Sequence, residues 1–195
     1  MKYKEIQKDL QSLLKPSRYE HTMGVVETAI HLANRYGCDE KKAKYAALLH
    51  DCAKHLSDPE KIEMCRTRQL PITEVEMANP SLLHAKCGAV LASERYGVSD
   101  EEILHAIRVH TTGVPNMGLL DLIIFVSDYI EPGRDMAPHL KELRKLADKN
   151  LTRTAYLILR DTIEYLNSRE EACMDPMTQK AYEYYKTLCG NLIYQ

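Results

Sequence analysis

Tryptophan is absent from this sequence and phenylalanine occurs once, although tyrosine occurs twelve times. That skew excludes nothing about function; other shortages exclude more. None of the six cysteines (Cys38, Cys52, Cys65, Cys87, Cys173 and Cys189) forms a CxxC pair, which argues against zinc-ribbon and thioredoxin chemistry. They read as free thiols, acting as small hydrophobes in a reducing compartment. A basic excess is missing too: 26 Lys and Arg face 28 Asp and Glu, for a net charge of -2. Sequence-independent binding to nucleic acid runs on phosphate neutralisation and is not expected. The longest nearly uncharged apolar run, Leu122 to Val126, is far short of the roughly 20 residues that cross a bilayer. The start, Met1-Lys2-Tyr3-Lys4-Glu5, carries no apolar signal-peptide core. A cytoplasmic protein with neither a membrane nor a nucleic-acid partner is expected. Convincing period-2 alternation bounded by hairpin turns is also absent, so no sheet is expected.

What is present is helical punctuation. The chain has 195 residues, 45% hydrophobic and 28% charged, which suits one well-filled core and excludes disorder as the main state. An amphipathic stretch, Tyr3 to Leu14, stops at Lys15-Pro16. Ser17 and Glu20 read as a capping box opening a helix that stops at Gly37. Asp39 caps the next helix. Ser57-Asp58-Pro59 opens a third, ended by Pro71. Ser81 opens a fourth, running to Gly97. Ser99 and Glu102 form a second capping box for a helix closed by Gly113. Gly118 to about Ile130 is apolar nearly all round, as a buried central helix would be. Stretches 138–149, 151–167 and 176–194 complete an all-α bundle. The expectation is a single domain over 1–195, with a motif-bearing core at about 16–134 and C-terminal helices at about 138–194.

Chemistry enters with His50-Asp51, which follows Ala46-Ala47-Leu48-Leu49. Alone, the dipeptide is a weak signal, since a histidine at a helix end is often a cap. Helical phase adds partners. His110 shares a face with Ile103, Ala106 and Ile107, His21 with Val25 and Ala29, and His84 with Gly88 and Leu91. Glycine at 88 would let another backbone come close. His31, His55, His105 and His139 fall off these faces and read as structural or solvent histidines. Asp128 ends the most apolar helix, where an unpaired charge costs several kcal/mol. It needs a cation, a proton or a metal, and Arg18, Arg108 or Arg134 could pair with it. Asp121 faces the same demand unless it lies near the surface. Any one of these histidines is most simply a hydrogen-bonded core residue. Four of them with two carboxylates in one small domain are harder to explain that way. Imidazole with carboxylate suits Zn, Fe, Mn or Ni. Six ligands are too many for one open tetrahedral site, and about right for two metals sharing a bridging carboxylate.

Four segments carry a more specific signal: Ser17-Arg18-Tyr19-Glu20-His21-Thr22, Ala47-Leu48-Leu49-His50-Asp51-Cys52-Ala53-Lys54, Ala106-Ile107-Arg108-Val109-His110-Thr111-Thr112-Gly113 and Asp128-Tyr129-Ile130-Glu131-Pro132-Gly133-Arg134. Together with His84, they resemble the HD-domain phosphohydrolase superfamily, and within it the YqeK family of bacterial symmetrical diadenosine tetraphosphate hydrolases. The resemblance spans Pro16 to Arg134 and leaves the tail after Pro138 unmatched. It implies an HD-domain bundle around a di-iron or similar binuclear centre, with Mn, Co, Ni or Zn as other candidates. In that arrangement His21, His50 and Asp128 hold one metal, His84 and His110 the other, and Asp51 bridges. The implied reaction cuts diadenosine tetraphosphate into two ADP. Lys54 would meet the attacked phosphate or the leaving ADP, and Arg18 and Arg134 would grip phosphates bidentately. Thr111 and Thr112 would offer hydroxyl and backbone donors. For Thr22, Arg108 and Glu131 a structural role fits equally well. A homodimer is expected only by analogy. Competing readings are another nucleotide phosphohydrolase on the same scaffold, such as a mononucleotide 5′-phosphatase, a non-catalytic module sensing nucleotide or metal, and a helical interaction protein.

Overall fold

Helix α8 (Leu119–Ile130) is the axis of the protein in this computed structural model, which describes residues 1–169 and 174–191. Eight of its residues from Leu120 to Ser127 are buried, which is why the segment has no polar face. The helices around it are α2 (Pro16–Tyr36), α3 (Glu40–Leu49), α7 (Glu101–Val109), α9 (Leu140–Ala147) and α10 (Leu151–Asn167), each packed against α8. Outside them lie α1 (Tyr3–Leu13), α4 (Asp58–Thr67), α5 (Glu74–Ala78), a 3₁₀ turn (Pro80–Leu83), α6 (His84–Glu94) and α11 (Pro176–Asn191). The described residues contain no strand. None of the helices among them is long and apolar enough to cross a membrane.

One apolar cluster runs from Ile6 through α8 to Tyr185, so the C-terminal helices share the core of the motif-bearing region. Tyr185 also accepts the Met117 backbone N–H on its hydroxyl at 2.8 Å. A smaller cluster of Ala53, Cys65, Leu83 and Cys87 lies under α4 and α6. Its two thiols share an S–H···S hydrogen bond at 3.8 Å and no disulfide, and Cys38, Cys52 and Cys189 are also free. Cys173 lies outside the described residues.

Most helix ends fall where the punctuation placed them. Gly37 closes α2 at φ +73°, a left-handed value that glycine adopts without strain. The Asp39 carboxylate accepts from the Lys42 N–H, and Ser57 and Glu60 form a capping box. Two expected boxes do not form. Ser17 lies inside α2, because Pro16 takes the first helical position, where its fixed φ and missing N–H cost nothing. At α7 the cap is Asp100, whose carboxylate accepts from Glu102 and Ile103, and Ser99 stays outside. Ser81 does not open α6 either. It sits in the 3₁₀ turn, its hydroxyl donating to Asn79, and α6 begins at His84 and ends at Glu94, short of Gly97. Helix α4 likewise stops at Thr67, before Pro71, because Gln69 turns left-handed at φ +53°. The short α5 is unannounced by periodicity. Thr73 and Glu76 cap it, and buried Glu76 pairs with Lys86 at 2.7 Å. The last residues of the expected 176–194 helix, Leu192 to Tyr194, lie outside the described residues.

Candidate metal centre

Five elements deliver six side chains to one point at the base of α8. His21 stands in the second turn of α2. His50 ends α3, with Asp51 next to it; His84 begins α6; His110 ends α7; Asp128 lies in the last turn of α8. Gly88 makes part of this convergence possible, since a Cβ there would lie 3.3 Å from the His50 carbonyl and 3.2 Å from Ile107. The close approach anticipated at this glycine is real.

Backbone carbonyls in the last turn of a helix lack intrahelical partners, and His50 and His110 use this, while His84 uses a carbonyl of the 3₁₀ turn that also accepts its own N–H. His50 Nδ1 donates to Ala47 O at 2.6 Å, His84 Nδ1 to Ser81 O at 2.6 Å, and His110 Nδ1 to Ile107 O at 2.7 Å. A carbonyl only accepts, so each Nδ1 carries a proton and each Nε2 is turned inward. Asp51 lies among those Nε2 atoms. Its Oδ1 is 3.2 Å from His84 Nε2 and 3.6 Å from His110 Nε2; its Oδ2 is 3.5 Å from His50 Nε2 and 4.0 Å from His21 Nε2. Asp128 Oδ1 is 3.0 Å from His21 Nε2. Three overlapping trios each bring their ligand atoms within 4.8 Å of one another: His21-His50-Asp51, His50-His110-Asp128 and Asp51-His84-His110.

Electrostatics agree with a site built for positive charge. Burial alone would raise the Asp51 pKa, but His50 and the bonds from His110 and His84 outweigh it and hold the carboxyl well below its usual range. Asp128 is likewise lowered against its burial, chiefly by His21. Burial drives His84 down to about 4, so it stays neutral. For His21 burial is outweighed by Asp128, and the ring is raised. The buried Nε2 atoms of His21 and His50 have no hydrogen-bond partner. Unpartnered buried polar atoms are costly, and imidazoles grouped round a shared carboxylate are the donor set of divalent transition metals. The residues fit a divalent metal.

The remaining sequence-predicted residues surround this cluster. Arg18 donates to Asp51 Oδ2 at 2.9 Å, not to Asp128, and its side chain is 40% exposed. The cation beside Asp128 is Arg134, at 3.2 Å. Lys54 follows in the turn after Asp51, bonding its N–H to Asp51 O at 2.9 Å. Burial lowers its ammonium pKa while Asp51 pulls it back up. The Thr111 hydroxyl lies 3.1 Å from the Nε2 atoms of both His84 and His110. Thr112 turns away and donates to Gly113 O at 3.0 Å. The four histidines read as structural are elsewhere: His31 pairs with Asp148, His105 with Asp121, His139 with Asp161, and His55 with the Cys52 carbonyl. Asp121 is buried and satisfied by His105 and the Gly118 N–H. Beside His21 an open cavity of about 840 Å³ is lined by Tyr3, Gln7, Met23, Glu131 and Pro132 among others, within the size range of small-molecule sites. Sequence reasoning left Glu131 undecided. Its buried carboxylate in fact touches His21 Nδ1 at 3.2 Å, and the signal that could have found it is the glycine at 24, in mid-helix.

Comparison with known proteins gives a consistent result. The model of the HD domain matches residues 18–148. The symmetrical bis(5'-nucleosyl)-tetraphosphatase of Bacillus subtilis is 43% identical over 154 residues, covering 79% of this chain and 82% of its own. The protein of the same name from Halalkalibacterium halodurans is 44% identical, over 79% of this chain and 81% of its own. A crystal structure from Clostridium acetobutylicum, of an HD superfamily hydrolase described as involved in NAD metabolism, superposes with a TM-score of 0.92. It is 38% identical and covers 96% of this chain and 98% of its own.

Proposed function

Since the chain belongs to the HD-domain family, and within it to the symmetrical bis(5'-nucleosyl)-tetraphosphatases, we propose that it is a metal-dependent phosphohydrolase that cuts diadenosine tetraphosphate at its central anhydride to give two ADP. The observation that carries this reading is the convergence of four histidines and two carboxylates on one buried point. One shared core from Ile6 to Tyr185 supports reading the chain as a single domain, and its free thiols support a reducing, cytoplasmic location.

His21, His50 and Asp128 would hold one divalent ion, His84 and His110 a second, and Asp51 would bridge. The division of Asp51 supports this, with Oδ1 toward His84 and His110 and Oδ2 toward His21 and His50. Iron is the ion we assign, and the same donors also suit Mn, Co, Ni or Zn. A pair of such ions supplies Lewis acidity, acidifying water and neutralising phosphoryl charge. The protein's own groups do the rest. Asp51 and Asp128 stay ionised, because their surroundings hold both carboxyls low. Arg18 and Arg134 now neutralise these two carboxylates from the rim of the site. From that rim their planar forks would also suit the substrate's phosphate chain. Lys54, partly desolvated beside Asp51, offers a compact ammonium to the attacked phosphate or the departing ADP. Thr111 adds a hydroxyl just past the end of α7, whereas the Thr112 hydroxyl is turned to Gly113 O.

Chromatography of the products tests the reading. ADP as the sole nucleotide product is expected from diadenosine tetraphosphate with Fe, Mn, Co or Ni. AMP plus ATP would overturn the symmetrical cut, and faster turnover of mononucleotides would replace the substrate.

A further inference from the structure

We propose that Glu131 is a positioning residue for His21, held in place by the absence of a side chain at Gly24 and by Arg144 of α9. The inference rests on reading His21 as a metal ligand. Three of the four inward histidines fix their rings on a carbonyl at the end or edge of a helix. His21 has no such carbonyl. It sits in the body of α2, where carbonyls are engaged in the helix ladder, and the oxygen three residues back, on Arg18, also accepts the Thr22 hydroxyl at 2.9 Å. Its Nδ1–H instead donates to Glu131 Oε1 at 3.2 Å. That bond places a proton on Nδ1 and turns Nε2 toward Asp128 and Asp51. Such outer partners set both the tautomer and the basicity of a ligating histidine.

The placement of Glu131 is over-determined. Its other oxygen accepts the Gly133 N–H at 2.6 Å, and the residue is 3% exposed. A Cβ on Gly24 would lie 2.4 Å from Glu131 Oε2, and one on Gly133 3.1 Å from it. Glycine in mid-helix is disfavoured against alanine, and here it makes room for a carboxylate. Behind the turn, Arg144 donates to Ile130 O at 2.8 Å, Glu131 O at 2.7 Å and Arg134 O at 2.8 Å. A helix outside the motif-bearing region thereby holds the backbone that carries Glu131 and Arg134.

The test titrates metal-stripped protein with Mn²⁺ alone, by chelator competition, so it needs no substrate. Glu131→Ala and Gly24→Ala should each weaken Mn²⁺ binding by roughly 10- to 100-fold. Gly24→Ala improves helix propensity and displaces only the end of a flexible side chain, so it keeps the test alive if Glu131→Ala fails to fold. In a His21→Ala background, Glu131→Ala should cost nothing further, because its effect runs through that ring. Wild-type affinity in Gly24→Ala, or an undiminished effect of Glu131→Ala without His21, overturns the proposal. So does unchanged affinity in His21→Ala, since the ligand assignment beneath it would fall. A wild-type protein that binds Mn²⁺ but leaves diadenosine tetraphosphate intact would overturn the substrate and not this inference.

Discussion

His84 and His110 bring their Nε2 atoms to 3.1 Å of each other while each commits its Nδ1 proton to a backbone carbonyl. The two Nε2 atoms face one another, and the Thr111 hydroxyl lies 3.1 Å from both of them. Asp51 Oδ1 lies 3.2 Å from one and 3.6 Å from the other, so two imidazoles and a carboxylate oxygen meet at one point, a donor set suited to a divalent cation.

That relationship separates two halves of the centre. His84→Ala removes one of the facing rings and leaves His21, His50, Asp51 and Asp128 in place. The variant should retain about one metal per chain, remain helical and lose most activity, because the two-metal clamp is gone. Asp51→Asn should lose metal from both halves. Elemental analysis beside a thermal melt reads the difference; wild-type metal content in His84→Ala would rule out the binuclear assignment.

Lys54→Ala should lower kcat by ~10²-fold or more, the usual cost of removing one charged donor from such a site. Metal content and melting temperature should stay near wild type, since Lys54 is only partly buried. Steady-state kinetics with matched metal analysis decides it, and unchanged kcat would make Lys54 a bystander.

Gly88→Ala sets two effects against each other. Alanine gains up to about 1 kcal/mol of helix propensity. Its Cβ, however, would meet the His50 carbonyl at 3.3 Å and Ile107 at 3.2 Å, and overpacking a core costs about 1–3 kcal/mol. A backbone carbonyl cannot swing aside, so the clash should win and the melting temperature should fall by a few degrees. Calorimetry showing a rise would mean that α6 moves freely away from His50.

Acid should weaken the join between α1 and α6. Two bonds from Arg95, at 2.8 and 3.0 Å, hold the Asp9 carboxyl below its usual pKa against the opposing effect of burial, and Tyr96 adds a third at 2.8 Å. A folded pKa below the unfolded one gives stability that is fully present above the unfolded value, about 3.9, and is lost as pH falls through the folded one. Asp9→Asn should therefore melt below wild type at pH 7 and converge with it as pH falls below about 4. Equal melting temperatures at pH 7 would show that the pair contributes nothing, and a gap unchanged down to pH 3 would show that its contribution does not run through the Asp9 charge.

The sequence by itself determined the helices whose ends are marked by local chemistry. Gly37 must turn left-handed, Asp39 and Ser57 cap, and Leu119–Ile130 is too apolar to lie anywhere but the centre. It also determined the inward histidines, because helical phase sorts a side chain toward or away from the core regardless of what it meets there. Pairings that cross the chain were decided only by tertiary structure. Arg18 could have met Asp128 or Asp51, and packing of α2 on α3 gave it Asp51. Ser17 and Ser99 carried good capping signals, yet Lys15, followed by Pro16 as the first helical residue, and Asp100 took those positions. Glu131 shows the reason most clearly. Its partners His21 and Gly24 are more than a hundred residues away in sequence, and its backbone is held by Arg144 from beyond the motifs. Local propensity acts within a few residues. Whether a buried carboxylate meets a ring, a glycine or a guanidinium depends on which helices the shared core brings together.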